Sequence, residues 1–234
     1  MTDFSDAISN ALALVFGLDA ALTEIVGLSL RVSLTAVAIA AAIGMPVCAL
    51  LALYRFRGRF FLVVSMNALM GLPPVVVGLI VYLLLSRAGP FGVFGLLFTP
   101  TAMIIAQVLL VTPIIAALTR QVIEDLWIEY EEQMRSLGAG PGRAVPALLW
   151  DGRFTLITAV LAGFGRASAE VGAVMIVGGN IDHVTRVMTT SIALEVSKGN
   201  LALALGLGII LLVLSVGING AAYMIQHGTK RWHA

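Results

Sequence analysis

Charge is scarce in this 234-residue sequence. Lys, Arg, Asp and Glu supply 12% of it, against 59% apolar residues and 24 glycines. So little charge excludes an ordinary soluble domain, in which roughly a quarter of residues are charged. There is one cysteine, Cys48, set inside an apolar run, so an internal disulfide is excluded. Together with three scattered histidines it forms no recognisable metal or redox spacing. The 14 basic and 13 acidic residues nearly cancel, leaving no nucleic-acid signature. The alternating segments of about ten residues that build a transmembrane barrel are also missing.

What is present is a set of continuous apolar runs, several longer than about 18 residues, with a mean hydropathy of +1.01. They predict an all-α polytopic membrane protein with about five spans: Leu28 to Leu53, Phe61 to Ser86, Ala102 to Leu118, Phe154 to Val177 and Leu201 to Ile225. Residues 1–27 read as an N-terminal leader. Two acids in its first six residues stand where a secretory signal would be basic. Ala7 to Leu18 would rise only about 18 Å as a helix, short of the roughly 30 Å hydrocarbon core, so this segment is expected to lie at the interface. A sixth span would bury Asp19 and Glu24 at about 3 kcal/mol each. The expected organisation is the leader, a transmembrane domain over 28–225 with a charged loop at 119–153, and a tail at 226–234.

Basic residues fall unevenly among the connections. Nine lie in alternate connections (Arg55, Arg57, Arg59, Arg120, Arg135, Arg143, Arg153, Lys230, Arg231), whereas Arg31, Arg87, Arg186 and Lys198 lie on the other side. The positive-inside rule then places the 119–153 loop and the C-terminus in the cytoplasm.

That loop carries apolar residues at Ile123, Trp127, Tyr130, Met134 and Leu137, in steps of four and three that mark one face of a helix. The opposite face holds Glu124, Asp125, Glu129, Glu131 and Glu132 against Arg135. A helix lying on an anionic leaflet would be basic, so the acidic face is expected to meet another protein, with a solvated linker helix as the plainer alternative. Gly138-Ala-Gly-Pro-Gly142 should end the helix in a sharp turn.

Glu132-Gln-Met-Arg-Ser-Leu-Gly138 resembles the EAA loop of ABC importer permeases, with Gln133 and Met134 in place of the two alanines and Trp150-Asp151 where the family has Leu-Pro. The runs Gly163 to Ile181 and Thr185 to Glu195 are similar to those of the tungstate permeases of TupB type, and that resemblance covers nearly the whole chain. It implies a MetI-like permease fold and a homodimeric pore. It also implies two cytoplasmic ATPase subunits docked on the EAA loops, an extracytoplasmic tungstate-binding protein, and a setting in the lipid of the inner membrane. Glu131, Glu132, Arg135, Gly138 and Gly140 become the candidate ATPase-coupling residues. No G-x-x-x-x-G-K-[ST] motif occurs, so this subunit is expected to be non-catalytic and to hold no cofactor, with ATP and Mg bound by the partner ATPase. Molybdate, or a broader range of oxyanions, is the nearest alternative substrate.

Candidate path residues follow from charge and from this resemblance. Arg166 and Glu170 lie mid-span, four apart, and two readings fit them: a positive group offered to a dianion, or an ion pair that locks helix packing. Ser168 lies between them. Asn180, Thr189 and Thr190 fall in a polar connection that resembles the family's gate region, where hydroxyls and amides could donate weakly to oxyanion oxygens. Pro73 and Pro74 should break the second span and either line the path or serve packing; Pro46 and Pro113 should kink the first and third spans. An intramembrane enzyme lacks a nucleophile, acid pair or metal motif here. A self-powered secondary transporter would show internal repeats and would leave the acidic helix without a task.

Overall fold

The computed structural model describes residues 20–230. The expected leader helix at Ala7 to Leu18 and the end of the tail lie outside the described residues. Nine α-helices account for most of the described chain: α1 Ala20–Leu53, α2 Arg59–Met70, α3 Pro74–Leu85, α4 Pro100–Ser136, α5 Pro141–Asp151, α6 Arg153–Ser168, α7 Gly172–Gly178, α8 Met188–Lys198 and α9 Leu201–Lys230. A short 3-10 turn, Gly92–Phe94, lies between α3 and α4. Among the described residues three helices are long and apolar enough to cross a membrane, and the number rises to five if each of two bent pairs, α2 with α3 and α5 with α6, counts as one span.

The breaks follow local chemistry. Helix α2 stops at Met70, and α3 resumes at Pro74, where a missing N–H costs nothing in a first turn. The expected span over 154–177 is instead two helices, because α6 ends at Ser168 and α7 begins at Gly172. Glu170 holds the interruption: its buried Oε1 accepts the backbone N–H of Ala173 at 2.9 Å, satisfying one of the orphan donors of α7. Helices α1 and α4 run on through Pro46 and Pro113. The amphipathic segment from Ile123 is the continuation of the third span rather than a separate element, and α9 continues past Ile225 to Lys230.

The chain divides into two compact units. One contains the described residues up to Thr35, Pro74–Gln107 and Ser168–Ala221. Within it α3 and α7 cross closely: a Cβ on Gly78 would come within 2.7 Å of Ala173 Cα, so only glycine allows the approach. Leu22, Met188 and Leu207 form a second buried cluster. The other unit contains Ala36–Pro73, Val108–Ala167 and the chain from Ala222. Its core gathers Ala49 and Leu53 of α1, Ile123 of α4, and Ala144, Val145 and Leu148 of α5, with Trp127, Tyr130 and Met134 packed against them. The apolar stripe read in the sequence is therefore a packing face from Ile123 to Met134.

Candidate functional site

The turn after α4 is built by one glycine. Gly138 has φ +74°, its N–H donates to Arg135 O at 3.0 Å, and the N–H of Ala139 donates to Met134 O at 2.9 Å. These two bonds make a Schellman motif, which needs a left-handed residue and so favours glycine. Gly140 then caps α5, and Pro141 takes its first position. The turn re-aims Leu137, expected on the packing stripe, so that it is 82% exposed. Ile128 (80%) and Trp150 (71%) are exposed in the same unit, and Glu132 and Arg135 are exposed as well. Glu131 is half-buried and pairs with Arg135 at 2.5 Å, one turn on.

Glu124 departs from the reading of an outward acidic face. Its carboxylate sits between Arg120, at 2.5 Å, and Arg59, which it contacts directly. Arg59 also donates from Nε to Leu51 O at 3.0 Å and from Nη2 to Ala52 O at 3.3 Å, closing the C-terminal end of α1. One guanidinium thus ties α1 and α4 together, and the outward acidic surface reduces to Asp125, Glu129, Glu132 and, in part, Glu131. The signal for this was available as a basic run just after a helix end, but sequence cannot say which acid it meets.

In the other unit the structure pairs Thr189 with Glu170 and Thr190 with Asn180. Thr189 donates to Glu170 O at 2.8 Å. The fully buried Thr190 hydroxyl lies 2.9 Å from Asn180 Oδ1 and 3.1 Å from Val187 O, and it accepts the N–H of Val187 at 3.2 Å. Thr185 donates to Gly178 O at 2.6 Å and accepts the N–H of Ile181 at 2.9 Å. Ser29 of α1, which the sequence reading did not single out, accepts the N–H of Met188 at 2.8 Å and so fixes the start of α8. Asn180 and His183 both take positive φ in this connection, at 49° and 57°.

The other candidates fall differently. Pro74 opens α3 in this same unit, and Ser168 ends α6 there, half-buried. Arg166 and Pro73 belong to the other unit. Arg166 and Glu170, expected four apart within one span, are not on one continuous helix, because α6 ends at Ser168 and Glu170 lies in the interruption. Arg166 is half-buried, and Glu170 is 3% exposed.

His183, largely exposed, lies 2.8 Å from Glu24 Oε2. Its pKa is raised above the ordinary 6.5, first by the hydrogen bond to Glu24, then by the charges of Glu24 and Asp182; slight burial and Arg186 act against this. The five neutral donors and acceptors around Asn180 and Thr190, and the carboxylate of Glu170, can position backbone and exchange hydrogen bonds. They hold no nucleophile activated by a base.

These features define an integral helical membrane protein with an exposed, glycine-terminated helix end and a buried polar connection. The family of binding-protein-dependent transport system inner membrane components matches residues 44–231, and the chain belongs to it. It is similar to the tungstate uptake system permease protein TupB of Peptoclostridium acidaminophilum, at 41% identity over 97% of this chain and 99% of that protein. It is also similar to the TupB protein of Campylobacter jejuni, at 36% identity over 97% of this chain and 93% of that one. A probable anion ABC transporter permease of Haloferax volcanii is 39% identical over 85% of this chain and 88% of its own length.

Proposed function

We propose that this chain is the membrane permease subunit of an ABC importer for tungstate. The observation that carries the reading is full-length similarity to two tungstate uptake permeases, one at 41% and one at 36% identity. The subunit moves the anion and leaves ATP hydrolysis, with its Mg, to a partner ATPase. It works as a homodimer, receives tungstate from an extracytoplasmic binding protein, and has its C-terminus in the cytoplasm.

The end of α4 supports a coupling role. Glu132 and Arg135 are exposed one turn before a helix stop that Gly138 fixes, and Leu137 and Ile128 stand out beside them. A rigid projecting corner of mixed apolar and acidic character can transmit a push from a partner without deforming. Path residues are proposed in two places: Arg166 supplies positive potential to a dianion, and the Asn180, Thr189 and Thr190 connection works as the gate. In the conformation seen, the gate's polar groups bond to one another, which fits a closed state whose hydrogen bonds exchange for oxyanion contacts on opening. Ser168, Glu170, Pro73 and Pro74 frame the helix breaks that let such a connection move.

The test is elemental analysis of tungsten and molybdenum in cells with and without the gene, grown on trace amounts of both. Loss of tungsten alone is expected. Loss of molybdenum alone, or of neither, would sink the tungstate assignment, and loss of both would widen it to tetrahedral oxyanions. Glu132→Lys or Gly138→Arg should abolish uptake and ATPase copurification while the protein still inserts. Normal copurification in both variants would remove the coupling role.

A further inference from the structure

The unit that holds the end of α4 contains a groove that the proposed path does not use. Its volume is about 400 Å³, within the roughly 300–1,000 Å³ of sites for small ligands. One wall is Ala41, Ala42 and Met45 of α1, and the other is Leu156, Ile157 and Val160 of α6. Pro46 and Leu149 complete the apolar lining, and Arg153 is the one charged residue on it. Among the described residues Arg153 makes no ion pair. Its Nη1 donates to Trp150 O at 2.6 Å, and its guanidinium lies 4.7 Å from the centroid of Trp150 and 4.4 Å from that of Phe154. Arginine carries five N–H donors in a fork suited to phosphate, and one is used here.

An apolar trough with an uncompensated guanidinium at one end selects its ligand by two criteria. A neutral hydrocarbon would leave the charge unanswered, and a free anion would leave the trough empty. An amphiphile with an anionic head satisfies both. Geometry agrees with a bilayer source: Val160 lies about 10 Å along α6 from Arg153, at 1.5 Å per residue, so the trough runs inward from the charged end. Trp150, exposed beside it, is the residue type enriched at the membrane–water boundary. Basic pockets between spans on the cytoplasmic side bind anionic headgroups.

We infer that this groove binds an anionic phospholipid, its acyl chain between α1 and α6 and its phosphate on Arg153. The leaflet rests on the orientation proposed above; the binding chemistry does not. The test uses the full chain in nanodiscs, with bound lipid read by native mass spectrometry and dioleoyl phosphatidylglycerol set against dioleoyl phosphatidylcholine. Wild type should retain phosphatidylglycerol preferentially. Arg153→Ala should lower that preference about five-fold, the worth of one basic residue at an anionic surface, and Arg153→Lys should recover part of it. Ala42→Trp, which fills the trough and keeps the charge, should also lose the lipid. Equal retention in all four proteins would overturn the site. So would a fall in dimer fraction for Ala42→Trp with lipid retention unchanged, which would assign the groove to a second copy of the chain. Orientation is read separately by Trp150→Cys and an impermeant maleimide. Labelling in intact cells would move the groove to the outer leaflet and overturn the proposed topology while leaving the lipid result standing.

Discussion

The two compact units handle their buried polar groups differently. Around the 178–200 connection neutral buried groups answer one another, Thr190 with Asn180 and Val187, Thr185 with Gly178 and Ile181, Ser29 with Met188, while the ion pairs Arg186–Asp182 and Lys198–Glu195 stand at its edges. Around the end of α4 they are ionic and partly exposed: Glu124 between Arg59 and Arg120, Glu131 with Arg135. Buried neutral networks lose the full desolvation cost of any group left alone, whereas partly exposed ion pairs are weak and screened. Under the function proposed above both have a use, since a gate must hold one arrangement until it switches and a docking corner must stay wettable between encounters.

The largest effects should come from glycines at helix crossings, and these differ between the units. Gly78→Ala drives its Cβ to 2.7 Å from the backbone Cα of Ala173, which can yield only if α3 and α7 separate. Gly163→Ala, in the other unit, meets the side-chain tips of Ile115 and Val111 at 2.8 and 2.9 Å, which can rotate. We expect about 3 kcal/mol from the first and about 1 kcal/mol from the second, read as thermal unfolding in detergent. Equal losses would show that the crossing in the first unit is no stricter than the packing in the second.

Next comes the neutral network. Thr190→Val keeps shape but strips the Val187 N–H of its acceptor and Asn180 Oδ1 of its donor. The cost should be about 2 kcal/mol, with Thr190→Ser close to wild type by the same unfolding assay. If valine is tolerated as well as serine, the hydroxyl is not holding the connection. The ionic counterpart is smaller. Glu124→Gln should cost about 1 kcal/mol, because Arg59, Arg120 and Glu124 all remain partly exposed. A double-mutant cycle of Glu124→Gln with Arg59→Met that returns no coupling would remove the ionic half of the contrast.

Most of the architecture was legible in the sequence because hydropathy and helix punctuation are local. The apolar runs marked spans, Gly138 to Gly142 marked the stop after α4, and Pro73-Pro74 marked the break before α3. The interruption at 169–171 was not legible as a break, since Ala169, Glu170 and Val171 carry no helix-breaking residue; it arises where the Glu170 carboxylate caps Ala173. Pro46 and Pro113 mark no helix end, because a membrane helix can run on through a single proline. Pairings such as Arg59 with Glu124, or Ser29 with Met188, join residues 65 and 159 positions apart and depend on tertiary contact that no periodicity encodes.

The smallest effect concerns the tie of His183 to Glu24, which joins the 178–200 connection to α1. The hydrogen bond to Glu24 raises the histidine's pKa, so the protonated ring is the form that the fold favours. That contribution is complete below about pH 6.5, the ordinary value for the unfolded chain, and is lost as pH rises through the raised folded-state value. Both groups are well exposed, so the tie should act locally. Hydrogen exchange of residues 181–187 should be slower at pH 6 than at pH 8 after correction for intrinsic rates, and Glu24→Gln should erase most of that difference. Thr190→Val should instead speed exchange equally at both pH values. If Glu24→Gln left the pH dependence intact, the tie would lie with Asp182, whose carboxylate stands 4.0 Å from the other ring nitrogen, and the connection would be anchored to itself rather than to α1.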